Sequence, residues 1–132
     1  MYHKVGKGDP ALTFRDWSTY PIVWNTPGWG SCSIPVSHVS IPGVKIATLL
    51  GIQPGGTIPL HKDNPGVENN VDGPLTRYHL ILSTNDWCWN FHAGTWQQLE
   101  VGYMYTMDPT REHASINWGP NTRWHLILDI GQ

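Results

Sequence analysis

The feature that most constrains the fold of this chain is a succession of short β-rich segments running from Val44 to Ile130. Turn signals rich in Gly, Pro, Asn and Asp separate them, and helical periodicity is almost absent. The pattern predicts strands at 44–52, 57–61, 75–83, 87–91, 95–98, 103–107, 112–117 and 122–130. Short strands at such close spacing are typical of an antiparallel sandwich or barrel. We therefore expect an all-β fold with little helix.

The N-terminal third of the chain is less regular. Asp9 followed by Pro10 predicts a short helix with Asp9 as its N-cap, reaching to about Trp17. Residues 21–43 are rich in proline, and we expect mostly loop there with short extended pieces. A chain of 132 residues has the size of one domain. We expect a single domain over 1–132, with its motifs confined to about 51–130.

Composition limits the partners and the compartment. Charged residues make up 14% of the chain, against roughly 25% in an average globular protein, and the formal net charge is −2. These values indicate neither nucleic acid nor an anionic membrane as a partner. No apolar run resembles a signal peptide or a membrane span. We expect a cytoplasmic protein in which Cys32 and Cys88 are reduced thiols, a disulfide between them being the alternative.

Two candidate metal ligands follow the Pro/Gly turn that ends the predicted strand 44–52. His61 and Asp63 are two residues apart at the end of the next strand, 57–61. Side chains at positions i and i+2 of a strand point to the same side, so one imidazole and one carboxylate can face a single point. The polar segment 62–74 that follows is predicted to be an exposed loop. Its position makes it a candidate lid or substrate-contacting segment.

Two predicted strands contain nearly the same heptapeptide, Thr-Arg-Tyr-His-Leu-Ile-Leu and Thr-Arg-Trp-His-Leu-Ile-Leu. In each copy the arginine and the histidine share one strand face, Arg77 with His79 and Arg123 with His125, while the opposite face is apolar. An inward-facing guanidinium is costly to bury without an anionic partner. We therefore expect these arginines to bind anions, and we interpret His125 as structural.

His113 is the candidate for a third metal ligand. It lies on the predicted strand 112–117, and a turn at Trp118-Gly-Pro-Asn connects that strand to the one holding Arg123. A hairpin between the two strands would place His113 opposite Arg123, with their Cβ atoms about 5 Å apart. We therefore expect a metal ligand and a fixed cation to be cross-strand neighbours.

Two histidines and one carboxylate on one side of a metal form the facial triad of non-haem Fe(II) oxygenases. The open positions on the other side accept a bidentate co-substrate and O₂. A guanidinium suits this arrangement because it binds a carboxylate through two parallel hydrogen bonds. The same ligand types also accept Mn, Co, Ni or Zn, so they do not fix the metal.

In combination these residues resemble a known family. The pieces that match occur in the order Pro-Gly-Gly-Thr-Ile-Pro-Leu-His61-x-Asp63, Arg77-x-His79-Leu, Trp96-x-x-Leu-Glu-x-Gly102, His113, and Arg123 with Asp129 closing its strand. From about residue 51 to residue 129 the chain is similar to the aspartyl/asparaginyl β-hydroxylase family of Fe(II)/2-oxoglutarate-dependent oxygenases. That family also includes proline cis-hydroxylases.

The resemblance implies a double-stranded β-helix, which is a cupin-like jelly roll. It implies a metal site in which Fe(II) is bound by His61, Asp63 and His113. It implies three co-substrate residues: Arg123 at the distal carboxylate of 2-oxoglutarate, with Arg77 and His79 near its other end. The implied reaction decarboxylates 2-oxoglutarate to succinate and CO₂ and uses O₂ to hydroxylate a free amino acid or a peptide side chain.

Two other functions stay open at this point. One is a non-catalytic β-sandwich binding module, for example for sugars, which the eight tryptophans and the Asn-rich loop favour. It predicts that His61 and His113 are more than about 10 Å apart, beyond the reach of one metal. The other is a metal-dependent cupin enzyme without oxidation, such as an isomerase, but such cupins usually have His-x-His where this chain has His61 and Asp63. Neither the substrate nor the oligomeric state follows from the sequence.

Overall fold

The computed structural model describes residues 1–132 and consists of two antiparallel β-sheets with very short helices. In chain order the elements are β1 (His3–Lys7), α1 (Pro10–Thr13), β2 (Val23–Asn25), β3 (Trp29–Ile34), β4 (Val44–Ile52), β5 (Thr57–His61), α2 (Pro65–Glu68), β6 (Leu75–Ser83), β7 (Cys88–His92), β8 (Thr95–Gln97), β9 (Tyr103–Met107), β10 (His113–Asn117) and β11 (Arg123–Gly131). A 3₁₀ turn, Val36–His38, lies between β3 and β4. The predicted all-β fold with little helix is confirmed.

The two sheets differ in size and face each other. The larger sheet has seven strands in the order β1-β9-β6-β11-β4-β3-β2, and the smaller sheet has four in the order β5-β10-β7-β8. From β4 onward the chain passes repeatedly from one sheet to the other. This arrangement is the predicted jelly roll, in which two sheets enclose a central space.

The strand predictions are most accurate in the second half of the chain. The strands predicted at 44–52, 57–61, 75–83 and 103–107 have the observed bounds of β4, β5, β6 and β9. The other four differ from β7, β8, β10 and β11 by one residue at one or both ends. Alternating apolar and polar residues, bounded by turn signals, therefore predict these strands well.

The N-terminal third is where the sequence pattern predicts least. The pattern does not predict β1, and β3 is a six-residue strand in a segment expected to be mostly loop. α1 begins after Asp9 as expected, with the Asp9 carboxylate accepting a hydrogen bond from the Ala11 N–H at 2.9 Å. It ends at Thr13 and does not reach Trp17, whose indole N–H instead folds back and donates to the Leu12 carbonyl at 2.9 Å.

One predicted strand pairing is wrong. β10 pairs with β5 and β7 in the smaller sheet, whereas β11 pairs with β4 and β6 in the larger sheet. His113 and Arg123 are therefore not cross-strand neighbours, because they lie on different sheets. The residue directly opposite His113 on β5 is His61. The connection between β10 and β11 is thus a crossover between sheets and not a hairpin.

The main apolar core lies on the outer face of the larger sheet. Successive residues of a strand alternate between its faces, and the outward leucines of β4, β6 and β11 pack against the N-terminal segment. This cluster contains Leu12, Trp17, Ile34, Val39, Val44, Ala47, Leu49, Leu80, Leu126 and Leu128. A smaller cluster contains Tyr2, Ile81, Leu99, Tyr105 and Met107. Because the apolar core covers the outer face of the larger sheet, its inner face can hold polar residues such as Arg77, His79 and Arg123.

The remaining structural expectations concern the thiols and the membrane. Cys32 and Cys88 are both free and are not bonded to each other. No helix combines the length and the apolar character needed to cross a bilayer.

Candidate metal centre

A cavity of about 580 Å³ lies between the two sheets. Its walls come from β5 and β10 of the smaller sheet, from β3, β4, β6 and β11 of the larger sheet, and from α2 in the loop 62–74. The volume is within the range of about 300–1,000 Å³ that is typical of small-molecule sites. The six residues predicted to form the site all line it: His61, Asp63, Arg77, His79, His113 and Arg123.

His61, Asp63 and His113 converge on one point of the cavity wall. The Nε2 atoms of His61 and His113 each lie 3.1 Å from Oδ2 of Asp63. Two ligands about 2.1 Å from one metal and at right angles to each other are about 3.0 Å apart, so these separations fit a shared ion. All three ligand atoms lie within 4.8 Å of one another.

The same geometry contradicts the binding-module alternative, which predicts that the two histidines are far apart. The ring centroids of His61 and His113 are 4.1 Å apart. That prediction is wrong because β5 and β10 are hydrogen-bonded neighbours and the two histidines are a cross-strand pair.

Backbone carbonyl groups fix the orientation of both imidazoles. Nδ1 of His61 lies 2.6 Å from the oxygen of Pro59, and Nδ1 of His113 lies 2.8 Å from the oxygen of Arg111. Each Nδ1–H donates to its carbonyl, as metal-bound histidines commonly do. Both Nε2 atoms then face the carboxylate of Asp63, where each can donate a hydrogen bond to it or, without that proton, offer its lone pair to a metal. This donor set fits a divalent metal.

Asp63 is an anion at neutral pH. Burial raises its pKa, but the hydrogen bonds with His113 and His61 outweigh burial and hold the pKa well below its usual range. The hydrogen bond with Asp63 in turn raises the pKa of His61. The backbone N–H of Asp63 donates to the Pro109 carbonyl at 2.8 Å, which holds the carboxylate in place. Asp63 therefore meets the requirement that a metal ligand be deprotonated.

Arg77 is paired with a carboxylate of the protein. Its Nε and Nη2 donate to the two oxygens of Asp129 at 2.8 and 2.9 Å, and the two residues are opposite each other on β6 and β11. Asp129 is fully buried, so this bidentate pair is shielded from water. The third nitrogen, Nη1, lies 3.4 Å from Oδ2 of Asp63. Arg77 thus links the three-residue site to Asp129.

Arg123 is 1% exposed and only one nitrogen of its guanidinium has partners. Nη1 donates to Oδ1 of Asn90 at 3.1 Å. The same nitrogen is 3.1 and 3.0 Å from the two ring nitrogens of His125, and these equal distances place it over the face of the imidazole. Nε and Nη2 are buried and make no hydrogen bond within the protein.

The edge formed by Nε and Nη2 is therefore the part of Arg123 that requires a ligand. Burial lowers the pKa of Arg123 to about 10, so the guanidinium is still a cation at neutral pH. An unpaired buried cation is costly, and two parallel N–H groups match the two oxygens of a carboxylate. In Arg77 this same edge holds the carboxylate of Asp129. Arg123 consequently fits a ligand that carries a carboxylate.

His79 and His125 form a buried pair on the inner face of the larger sheet. Their Nδ1 atoms are 3.0 Å apart, so one ring donates and the other accepts. Burial, together with the charges of Arg77 and Arg123, holds the pKa of His79 well below its usual range. Burial and Arg123 have the same effect on His125. His79 lines the cavity, whereas His125 lies beneath Arg123, which fits its interpretation as structural.

Several residues of the site are not found by sequence reasoning. Asn90 supports Arg123 from the inner face of β7. The available sequence signal is a single polar residue between Trp89 and Phe91, which are exposed and half-buried in the structure. Thr48 contributes to the cavity wall from the inner face of β4. Tyr2 also lines the cavity, but it precedes β1 in a segment without any pattern.

The model of the aspartyl/asparaginyl β-hydroxylase family matches residues 9–132 of the chain. The chain belongs to the aspartyl/asparaginyl β-hydroxylase family. Membership confirms the resemblance drawn from the motifs and supports a cupin-type hydroxylase at the level of the family. The family match extends well upstream of the motif-bearing part, about 51–130, and leaves β1 outside.

Solved structures with the same fold agree with this assignment. The Cnp3 cupin domain of Schizosaccharomyces pombe superposes with a TM-score of 0.62 at 6% identity, covering 98% of this chain and 88% of that one. A cupin domain from Bordetella pertussis gives 0.55 at 18% identity, covering 83% and 100%. A predicted oxalate decarboxylase from Thermotoga maritima gives 0.57 at 15% identity, covering 85% and 91%. At such low identities these similarities establish only that this member of the hydroxylase family has the cupin fold.

Proposed function

We propose that the protein is an Fe(II)/2-oxoglutarate-dependent dioxygenase that hydroxylates a free amino acid or a peptide side chain. The observation that supports this most is the presence of two complementary sites in one cavity. One is the convergent set of His61, Asp63 and His113. The other is the buried edge of Arg123, which fits a carboxylate. An enzyme that activates O₂ with a dicarboxylic co-substrate needs both.

His61, Asp63 and His113 would hold the iron. Fe(II) bound there supplies the chemistry that couples decarboxylation of 2-oxoglutarate, giving succinate and CO₂, to O₂-dependent hydroxylation of a C–H bond. The negative charge of Asp63 offsets part of the charge of the metal. The carbonyls of Pro59 and Arg111 keep both imidazoles turned so that Nε2 faces the metal position. Three protein ligands on one side leave the opposite positions for other ligands.

Arg123 is the proposed anchor for the distal carboxylate of 2-oxoglutarate. Its Nε and Nη2 provide two parallel N–H donors in a buried place, where a charge-assisted hydrogen bond is strong. Arg77 and His79 are proposed to lie near the other end of the co-substrate. Because Asp129 occupies two nitrogens of Arg77, its contribution would come from Nη1. A non-oxidative cupin enzyme does not account for the unpaired edge of Arg123.

The remaining wall of the cavity indicates a small substrate group. Trp29, Ile46 and Leu50 form an apolar side, while Glu68 and Asn69 contribute a carboxylate and an amide from the loop 62–74. About 580 Å³ must accommodate both the co-substrate and the group to be hydroxylated. This space suits a free amino acid or one inserted side chain of a peptide.

Succinate formation tests the proposal. The protein is incubated with Fe(II), 2-oxoglutarate and O₂ in the presence of a panel of free amino acids and short peptides. We expect succinate to depend on both iron and 2-oxoglutarate, and to increase with the true substrate. His113→Ala should lower the rate by more than about 100-fold, because even loss of a group that supports a metal ligand costs 10- to 100-fold.

His3→Ala, at an exposed histidine of β1, is the matched control and should retain wild-type turnover. Titration calorimetry measures the binding of Fe(II) and of 2-oxoglutarate directly, without relying on turnover. If the metal-free protein binds neither Fe(II) nor 2-oxoglutarate, the proposed function is incorrect.

A further inference from the structure

Tyr2 is a cavity residue that neither the sequence motifs nor the family match includes. It precedes β1, and the family match begins only at residue 9. The side chain is 3% exposed and lines the same cavity as Arg123 and His79. A tyrosine next to the start of an edge strand would ordinarily be expected at the surface. Its burial in the functional cavity therefore calls for an explanation.

The backbone of Tyr2 is held at two points by one side chain of the smaller sheet. The Tyr2 N–H donates to Oε1 of Gln97 at 2.6 Å, and Nε2 of Gln97 donates to the Tyr2 carbonyl at 3.0 Å. β1 itself is hydrogen-bonded along β9 of the larger sheet. Tyr2 is thus fixed between the two sheets, which leaves little freedom in where its side chain points.

The ring of Tyr2 packs against two imidazoles inside the roll. It makes edge contacts with His79 and His92, at centroid distances of 5.3 and 5.7 Å. It also belongs to the smaller apolar cluster that includes Ile81 and Tyr105. These contacts explain an aromatic ring at this position, but a phenylalanine would make them equally well. They do not explain the hydroxyl group.

The Tyr2 hydroxyl is a neutral donor on a side chain that lines the same cavity as Arg77 and Arg123. It makes no hydrogen bond within the protein, and the surrounding protein atoms do not fully enclose it. Burial raises the pKa of Tyr2 to about 12, although the charges of Arg123 and Arg77 act in the opposite direction. The hydroxyl therefore keeps its proton at neutral pH. A polar group in such a place requires a partner, and none is supplied by the protein.

We propose that the Tyr2 hydroxyl donates a hydrogen bond to the distal carboxylate of 2-oxoglutarate, alongside Nε and Nη2 of Arg123. This inference rests on the proposed function. A carboxylate has about four lone-pair sites and can accept a third donor in addition to the two of a guanidinium. Tyr2 is thus a positioning residue for the co-substrate, and the residue that leads into β1 is part of the functional site.

The test measures binding, with Mn(II) in place of Fe(II) so that no turnover occurs. Calorimetry compares 2-oxoglutarate with 2-oxobutanoate, which has the same 2-oxo acid group but lacks the distal carboxylate. Tyr2→Phe should weaken 2-oxoglutarate binding by about tenfold or more, the effect of losing one hydrogen bond to a charged group. The affinity for 2-oxobutanoate should equal that of the wild type. Tyr103→Phe, a tyrosine outside the cavity, is the matched control and should bind both ligands normally.

Kinetics and unfolding complete the experiment. In the turnover assay Tyr2→Phe should raise the KM for 2-oxoglutarate and leave kcat nearly unchanged. Its thermal unfolding should match that of the wild type, since the ring contacts are retained.

Three outcomes have different meanings. Unchanged 2-oxoglutarate affinity in Tyr2→Phe overturns the role of Tyr2 while leaving the proposed function intact. Equal weakening for both ligands also overturns it, because the effect would then be general distortion of the cavity. A wild-type protein that binds no 2-oxoglutarate with Mn(II) overturns the proposed function, and the role of Tyr2 with it.

Discussion

The two arginines of the repeated heptapeptide show how one residue type acquires two roles. Arg77 directs Nε and Nη2 at Asp129, so its charge is balanced within the fold. Arg123 has the same two nitrogens buried without a partner, and only Nη1 is satisfied by Asn90. Stability alone would not select such a group, because an unpaired buried cation is unfavourable. A ligand that pairs with Nε and Nη2 would remove this cost.

Replacing Arg123 should therefore separate stability from function. We expect Arg123→Met to have a midpoint of thermal unfolding at least as high as the wild type in ligand-free protein. With Mn(II) present, 2-oxoglutarate at 100 times its Kd should stabilise the wild type by about 2.7 kcal/mol. The variant should gain less than about 0.5 kcal/mol under the same conditions, because it lacks the carboxylate anchor.

Differential scanning calorimetry measures both quantities. Arg15→Met, at an exposed arginine remote from the cavity, should behave like the wild type in the presence of ligand. Retention of the full ligand-induced stabilisation in Arg123→Met would contradict the anchoring role of this residue.

At the residue scale the sequence predicts those positions whose chemistry requires a particular side chain. His61, Asp63 and His113 are readable because few other combinations bind a metal, and the structure brings them together. The sequence identifies Asp129 only as the end of its strand, because its partner Arg77 is known only once β6 and β11 are paired. Tyr2 is unreadable because its position depends entirely on tertiary contacts with Gln97 and His79.

At the scale of elements, the pair between Arg77 and Asp129 ties β6 to β11 on the inner face of the larger sheet. Removing one partner of a buried ion pair leaves the other charge uncompensated. We expect Asp129→Asn to lower the free energy of unfolding by about 3 kcal/mol, measured by urea denaturation. The double variant Arg77→Met, Asp129→Met should lose less than the single variant, because it leaves no unpaired charge.

The double variant also distinguishes this explanation from simple loss of packing. If the effects of Arg77→Met and Asp129→Met add up in the double variant, the two residues do not interact energetically. Such additivity would contradict the pair as the cause of the destabilisation.

The connection between β10 and β11 explains why strand prediction succeeds where pairing prediction fails. Neighbouring strands in sequence usually pair, so a short turn favours a hairpin. Here the side chain of Asn117, which is fully buried, donates to the carbonyls of Ile52 and Asn121 at 2.9 and 2.8 Å. Those bonds attach the end of β10 to the larger sheet and let the chain cross over. The period-two pattern is the same for a hairpin and a crossover, so the sequence does not distinguish them.

At the scale of the whole molecule, the two faces of the larger sheet have different roles. The outer face forms the apolar core, and the inner face carries the residues of the cavity. Leu80, Leu126 and Leu128 face outward and are fully buried by the N-terminal segment. Arg77 and Arg123 alternate with them and face the cavity. The sequence predicts this division, since the alternation is visible in the repeated heptapeptide. It does not predict which segment covers the outer face, because the N-terminal residues have no periodicity of their own.

Placing histidines on that inner face makes the stability of the molecule depend on pH. His79 and His125 are buried and neutral, and their pKa values are held well below the usual value, first by burial and then by the neighbouring arginines. In the unfolded chain both would have a pKa of about 6.5. As the pH falls below that value the unfolded state binds protons that the folded state does not. Stability therefore rises with pH over this interval and is lost on acidification.

These two histidines together should reduce the free energy of unfolding by about 2 kcal/mol between pH 6.5 and pH 5.5, and His92, whose pKa is also lowered by burial, adds to the loss. The pKa of His61 is raised by Asp63, so its contribution changes mainly above pH 6.5 and does not cancel this effect. Urea denaturation in the presence of a chelator measures the change without any contribution from metal loss. His125→Gln should reduce the difference by about 1 kcal/mol, whereas His3→Gln at an exposed histidine should leave it unchanged. A free energy of unfolding that does not change over this interval would contradict the neutral state of His79 and His125 in the folded protein.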